Sequence, residues 1–173
     1  MRKISAYEIA LSALACALST TILVLGVYSD ILVFTGYLLA SITLMLPLAK
    51  KSWWGYALAY IATCILAFLF GAARFWDIIP FAIFFGLHPF ANELQLHFKI
   101  NRWVAFAIKA VWFDGALFAI WAVLYFVTKV TLVGWYIIPI ILVAGTALFF
   151  AYDYAMFQAR DKVNALVRRI IGK

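Results

Sequence analysis

Residues 5–27 read SAYEIALSALACALSTTILVLGV, an apolar run of 23 positions interrupted by a single charged side chain, Glu8. A helix of about 20 apolar residues crosses roughly 30 Å of hydrocarbon, so this stretch is long enough to span a membrane. Arg2 and Lys3 precede it, as they would in a secretory leader. The run is longer than a leader's apolar core and lacks a small-x-small cleavage site at its far end, so it is expected to remain as the first membrane helix.

Five further segments of the same character follow, at 31–49, 53–72, 78–96, 103–127 and 133–157. The whole chain, 173 residues, is 68% hydrophobic and 12% charged with a mean hydropathy of +1.05. Soluble domains carry about 25% charged residues, so water is not the solvent this composition suits. The 16 Phe, 9 Tyr and 7 Trp fit helices that face lipid and end at headgroups. The expected fold is an all-α integral membrane bundle of six transmembrane helices in one domain, 1–173. Its linkers are short, so consecutive helices should be antiparallel neighbours. The fourth segment should be kinked, because Pro80 stands near its start and Gly86 and Pro89 interrupt it. Backbone groups freed by such a kink need partners inside the protein.

Positive residues give the orientation, since basic loops stay on the cytoplasmic side. One side collects Arg2, Lys3, Lys50, Lys51, Lys99, Arg102, Arg160, Lys162, Arg168, Arg169 and Lys173, eleven residues, against Arg74 and Lys129 on the other. Both termini are therefore expected to be cytoplasmic, in a cell membrane of bacterial type. The same asymmetry accounts for the net charge of +7 through topology and anionic lipid, and a nucleic-acid partner is excluded. The tail, 158–173, carries Val163, Leu166, Val167, Ile170 and Ile171 at helical spacing opposite its basic residues. An amphipathic helix on the inner leaflet is expected there.

Several constellations are candidates for function. Ala6, Ala10, Ala13 and Ala17 recur at steps of four, three and four on the first helix. Small residues at that spacing allow close helix approach in lipid. They fit equally a docking face for another membrane protein and packing against the chain's own helices. Glu93, Lys109 and Asp153 all fall roughly 5 to 10 Å inside the cytoplasmic boundary at 1.5 Å per residue, with His88 and Asn92 near the same layer. Ionisable groups at such depth face the bundle interior and pair. The cluster reads as a clasp between the last three helices, with a proton or ion relay as the alternative. Asp114 lies deeper, beside Trp112 and Phe113, and needs a donor, water or a ligand. At the outer end Tyr28, Asp30, Arg74, Phe75, Trp76, Asp77, Trp121, Tyr125, Lys129, Trp135 and Tyr136 form an aromatic and charged rim. Such a rim reads as a belt of interfacial anchors or as the wall of a small-molecule pocket.

The two cysteines, Cys16 and Cys64, lie in apolar runs and read as packing residues rather than as a disulfide or metal pair. No nucleophile elbow, phosphate loop or zinc-binding helix occurs in the sequence. His88 and Asn92 at one helical turn resemble part of an intramembrane protease site, without the paired Glu motif that such a site needs. Neither an enzyme nor a cofactor is expected.

Three short motifs add a resemblance. Residues 84–89 (FFGLHP), 109–114 (KAVWFD) and 152–154 (YDY), with the Ala face at Ala10, Ala13 and Ala17, resemble the substrate-binding S components of energy-coupling-factor (ECF) transporters, in a Firmicutes-type branch. His88 stands where that branch has Tyr, and Asp114 where it has Asn. The resemblance implies a six-helix fold with cytoplasmic termini and a transmembrane coupling protein with two ATPase subunits as partners. It also implies a vitamin-like or other small molecule bound near Tyr28, Asp30, Trp76, Asp77, Asp114, Trp121 and Tyr125. Two other classes fit the topology: a non-catalytic scaffold similar to the rod-shape protein MreD, and a proton-coupled carrier using Glu93, Lys109 and Asp153.

Overall fold

The structure is a computed structural model that describes residues 5–128 and 137–171. Arg2, Lys3, Lys129, Trp135, Tyr136 and Lys173, with the start of the sixth segment at 133, lie outside the described residues. The chain is an all-helical bundle, and no strand occurs among the described residues. Its helices are α1 (Ala6–Tyr28), α2 (Val33–Leu48), α3 (Trp53–Phe70), α4 (His88–His97), α5 (Arg102–Thr128) and α6 (Ile138–Ile171). Four helical stretches are long and apolar enough to cross a membrane, within α1, α3, α5 and α6, and α2 is apolar but shorter.

Helix α1 starts on a capping box. The Ser5 hydroxyl accepts from the Glu8 N–H at 3.2 Å, and the Ser5 N–H donates to the Glu8 carboxylate at 3.1 Å. These bonds satisfy two donors that the first turn leaves open. At its other end α1 crosses α2 with two glycines face to face. A Cβ on Gly26 would lie 2.8 Å from the Gly36 Cα, and one on Gly36 3.0 Å from the Gly26 Cα. Backbone meets backbone there, so no flexible side chain can yield. Gly26→Ala is expected to lower stability by about 1–3 kcal/mol, as overpacking does, measured by thermal melting in detergent.

Helix α2 lies between two halves of the bundle. It packs on α1 and α3 on one side and on α4 and α6 on the other. The main core joins Leu23, Tyr37, Leu44, Tyr56, Phe81, Phe84 and Phe149. Phe84 is inserted between α5 and α6, with ring centroids at 4.8 Å from Trp112, 4.9 Å from Phe113 and 5.7 Å from Phe149. Among the described residues this packing reaches Ala116 on α5 and begins at Phe149 on α6. Beyond those points the halves of both helices away from the basic end present Phe118, Phe126, Val143 and Leu148 to the surroundings.

Two segments differ from the sequence expectation. The stretch expected as one kinked helix over 78–96 is a π-helical turn (Phe81–Phe85) followed by α4, which has only 10 residues, and a 3₁₀ helix (Ala72–Asp77) precedes it. The tail expected as a separate leaflet helix continues α6 without a break, giving 34 residues and a length of about 51 Å. Val163 and Val167 turn inward and pack with Met45 and Met156 against Leu11 and Ala49, whereas Leu166 and Ile170 stay exposed. The apolar face of the tail is thus divided between the base of the bundle and its surroundings.

Candidate functional site

The buried polar centre begins with the broken helix before α4. The Gly86 N–H bonds to the Phe81 carbonyl at 2.8 Å, an i to i−5 step that leaves the Ala82 carbonyl without its helical donor. The Tyr60 hydroxyl of α3 donates to that carbonyl instead. Pro89 has no N–H, so the Phe85 carbonyl also loses its donor. Ser41 of α2 replaces it at 2.7 Å, and Tyr56 of α3 donates to the Gly86 carbonyl. A Cβ on Gly86 would approach the Tyr60 ring to 2.8 Å. Three donors from α2 and α3 therefore hold the irregular backbone, as they must in a medium that offers no water. The break fixes where α4 starts, with His88 as its first residue and Pro89 in the first turn, where a missing N–H costs little.

Below that break, His88, Asn92, Lys109 and Asp153 converge from α4, α5 and α6. The Lys109 ammonium donates to Asp153 Oδ1 at 2.5 Å and to Asn92 Oδ1 at 2.8 Å, and lies 5.0 Å from the Phe157 ring centroid. His88 Nε2 lies 3.0 Å from the same Asp153 oxygen, out of line for a hydrogen bond. All four residues are buried, His88 and Asn92 almost completely. The unlike charges of Lys109 and Asp153 cancel, and a carboxylate shared between two nitrogen bases is the result. Rings of Phe84, Phe149 and Tyr152 close around the imidazole at 5.5, 5.8 and 4.8 Å.

Glu93 does not join this group. It pairs with Arg160 of α6, a residue that the sequence suggested only as a topology charge. Ser41, Tyr56, Tyr60 and Gln95 were likewise not singled out from the sequence, and Tyr152 entered only as part of the 152–154 motif. Gln95 was legible, since 88, 92 and 95 share one helical face. The partners on α2 and α3 carry no local signal, because their role depends on a backbone break more than twenty residues away.

The other candidates fall into separate places. In the rim, Arg74 bridges Asp30 at 2.6 Å and Asp77 at 2.8 Å. Hydrogen bonds to Asp30 and then to Asp77 raise the pKa of its guanidinium above the ordinary value. Tyr28 donates to the Phe70 carbonyl at 3.2 Å, Tyr37 donates to the Asp77 carbonyl, and Trp76 lies against Phe75 at 4.5 Å. Trp121 and Tyr125 stack on each other at 5.6 Å on the C-terminal half of α5. Asp114 Oδ2 faces the Thr146 hydroxyl at 3.1 Å, whereas its Oδ1 and the Trp121 Nε1 are buried without a partner among the described residues. Both atoms belong to the part of the α5 and α6 pair where packing on the core ends. Finally, Ala6, Ala10, Ala13 and Ala17 are all exposed on the outside of α1. The close contacts of α1 with α2 are made instead by Gly26 and by Ser19, whose hydroxyl donates to the Ala40 carbonyl at 3.1 Å.

These features define a polytopic helical bundle with an ion-paired polar centre near its basic end. Comparison with protein-family models, curated proteins and solved structures finds no match for the chain.

Proposed function

We propose that the chain is the substrate-capture subunit of an ECF-type importer. In this reading it makes six crossings of a bacterial cell membrane with both termini cytoplasmic. It binds a vitamin-like or other small molecule at its outer end and docks on a transmembrane coupling protein that works with two ATPase subunits. The observation that carries the reading is the exposed small-residue face of α1 at Ala6, Ala10, Ala13 and Ala17, which the bundle's own packing leaves unused. Small residues at a lipid-facing surface allow the close backbone approach that drives helix association in membranes. Beside that face, α1 and α3 leave a groove of 320 Å³ lined by Ala13, Cys16, Gly55 and Ala59. Asp114 Oδ1 and Trp121 Nε1, which have no partner among the described residues, support a ligand at the outer end.

The test is purification from native membranes in mild detergent. The parent is expected to bring down a coupling protein and ATPase subunits, and Ala13→Trp to lose them. Mass spectrometry of small molecules is expected to find one retained on the parent and absent from Asp114→Ala. A parent that recovers no ATPase subunit and is empty by native mass spectrometry would end this reading.

The same α1 face also favours a scaffold of MreD type, which recruits partners and binds no small molecule. That reading expects Ala13→Trp to abolish function while Asp114→Ala and substitutions of Asp30, Trp76 and Asp77 change nothing. A ligand-dependent rise in melting temperature counts against it.

A further inference from the structure

We propose that the centre around His88 is an internal proton site, hydrated from the basic end of the bundle, in which His88 takes up the proton. The first ground is a row of unsatisfied polar atoms. His88 Nδ1 and Nε2, Asn92 Nδ2 and Gln95 Oε1 have no hydrogen-bond partner among the described residues, and these three side chains are at most 7% exposed. They occupy successive turns on one face of α4. An unpaired buried polar group is expensive, and internal water is the usual partner of such groups.

The second ground is a way in. Gln95, at the end of the row, lines an open cavity of 430 Å³ at the basic end together with Arg102, Tyr154 and Gln158. Asp153 also lines a small space of 10 Å³ beside Arg102 and Tyr154. That is about the room one water needs. The open cavity thus borders Gln95, the small space borders Asp153, and Asn92 and His88 follow Gln95 along the same face of α4.

The third ground is the composition of the centre. Lys109 already neutralises Asp153, and the imidazole is a second base 3.0 Å from the same oxygen. A hydronium ion in the hydrated row gives its proton to the free nitrogen of neutral His88 and leaves as water. The nitrogen lone pair becomes the new N–H bond, and the positive charge faces Asp153. The titratable groups around the imidazole are Lys109 from α5 and Tyr152 and Asp153 from α6, with the Glu93 and Arg160 pair further along α4 and α6. On α2 and α3 the hydroxyls of Ser41, Tyr37, Tyr56 and Tyr60 each already donate to a backbone carbonyl, and the Cys64 thiol of α3 lies beside Tyr60.

The chain has two histidines, so His97→Gln leaves His88 as the sole imidazole. The experiment is ¹⁵N-histidine NMR of that variant in nanodiscs between about pH 8 and about pH 5, the range in which His switches. The parent is expected to convert reversibly from a neutral to an imidazolium signal. Asp153→Asn should lose the imidazolium signal, and Lys109→Met should retain it to higher pH, because His88 then becomes the only cation available to Asp153. Gln95→Leu should slow deuterium exchange of the ring N–H. A neutral His88 signal throughout the range in the parent overturns the proposal, as does Asp153→Asn converting just as the parent does. Should Asp153→Asn fail to fold, the parent spectra alone decide.

Discussion

Asp153→Asn is expected to lower the unfolding free energy by about 3–5 kcal/mol, the usual cost of breaking a buried ion pair by removing one partner. The substitution keeps the volume and one acceptor oxygen, so little of the loss would come from packing. What it removes is the charge that neutralises Lys109, whose ammonium would be left buried with the Asn92 oxygen and the Phe157 ring. Reversible unfolding in mixed micelles, followed by circular dichroism, measures the cost. Lys109→Met is expected to cost less, because His88 stands 3.0 Å from Asp153 and can supply a replacement cation. The double variant Lys109→Met with Asp153→Leu is expected to be more stable than Asp153→Asn alone, since it leaves no unpaired charge. Equal costs for the two single variants would show that His88 gives Asp153 no support.

The sequence exposed the parts of this structure that depend on period and composition. The apolar runs of α1, α2, α3, α5 and α6 were visible because length in an apolar medium is a one-dimensional property. The depth of Lys109 and Asp153 was countable for the same reason, and burial then requires charges at one depth to meet. The site of the helix break was visible in Pro80, Gly86 and Pro89, but its form was not. Whether a proline produces a kink, a π turn or a 3₁₀ turn depends on which donors neighbouring helices bring to the freed carbonyls. Those donors, Ser41, Tyr56 and Tyr60, look like ordinary interior residues in the sequence. The partner of Glu93 was hidden differently: Arg160 lies past the expected end of the membrane span. Only the unbroken run of α6 through 157 carries it along the same rod toward α4. The Ala face shows a further limit, because helical spacing shows which residues share a face but not what covers it.

The second large effect concerns that break. Ser41→Ala is expected to cost about 1–3 kcal/mol, the penalty for leaving a buried carbonyl without a donor. In a Pro89→Ala background residue 89 regains its N–H, which lies four residues beyond Phe85 and can serve the same carbonyl. The cost of losing Ser41 should then shrink by about 1 kcal/mol, within the usual range for coupled neighbours. Tyr60→Phe provides the control. Its acceptor, the Ala82 carbonyl, is freed by the Gly86 to Phe81 step rather than by the proline, so its cost should be the same in both backgrounds. Melting curves of the six proteins, each background alone and with either substitution, give both coupling energies. Zero coupling for Ser41 would mean that its hydroxyl serves mainly the Tyr37 carbonyl, which it also reaches at 2.7 Å, and that the Phe85 carbonyl finds relief elsewhere. A positive coupling would establish that α2 supplies the donor that Pro89 removed. The start of α4, and with it the position of His88 opposite Asp153, would then depend on a side chain from the other half of the bundle.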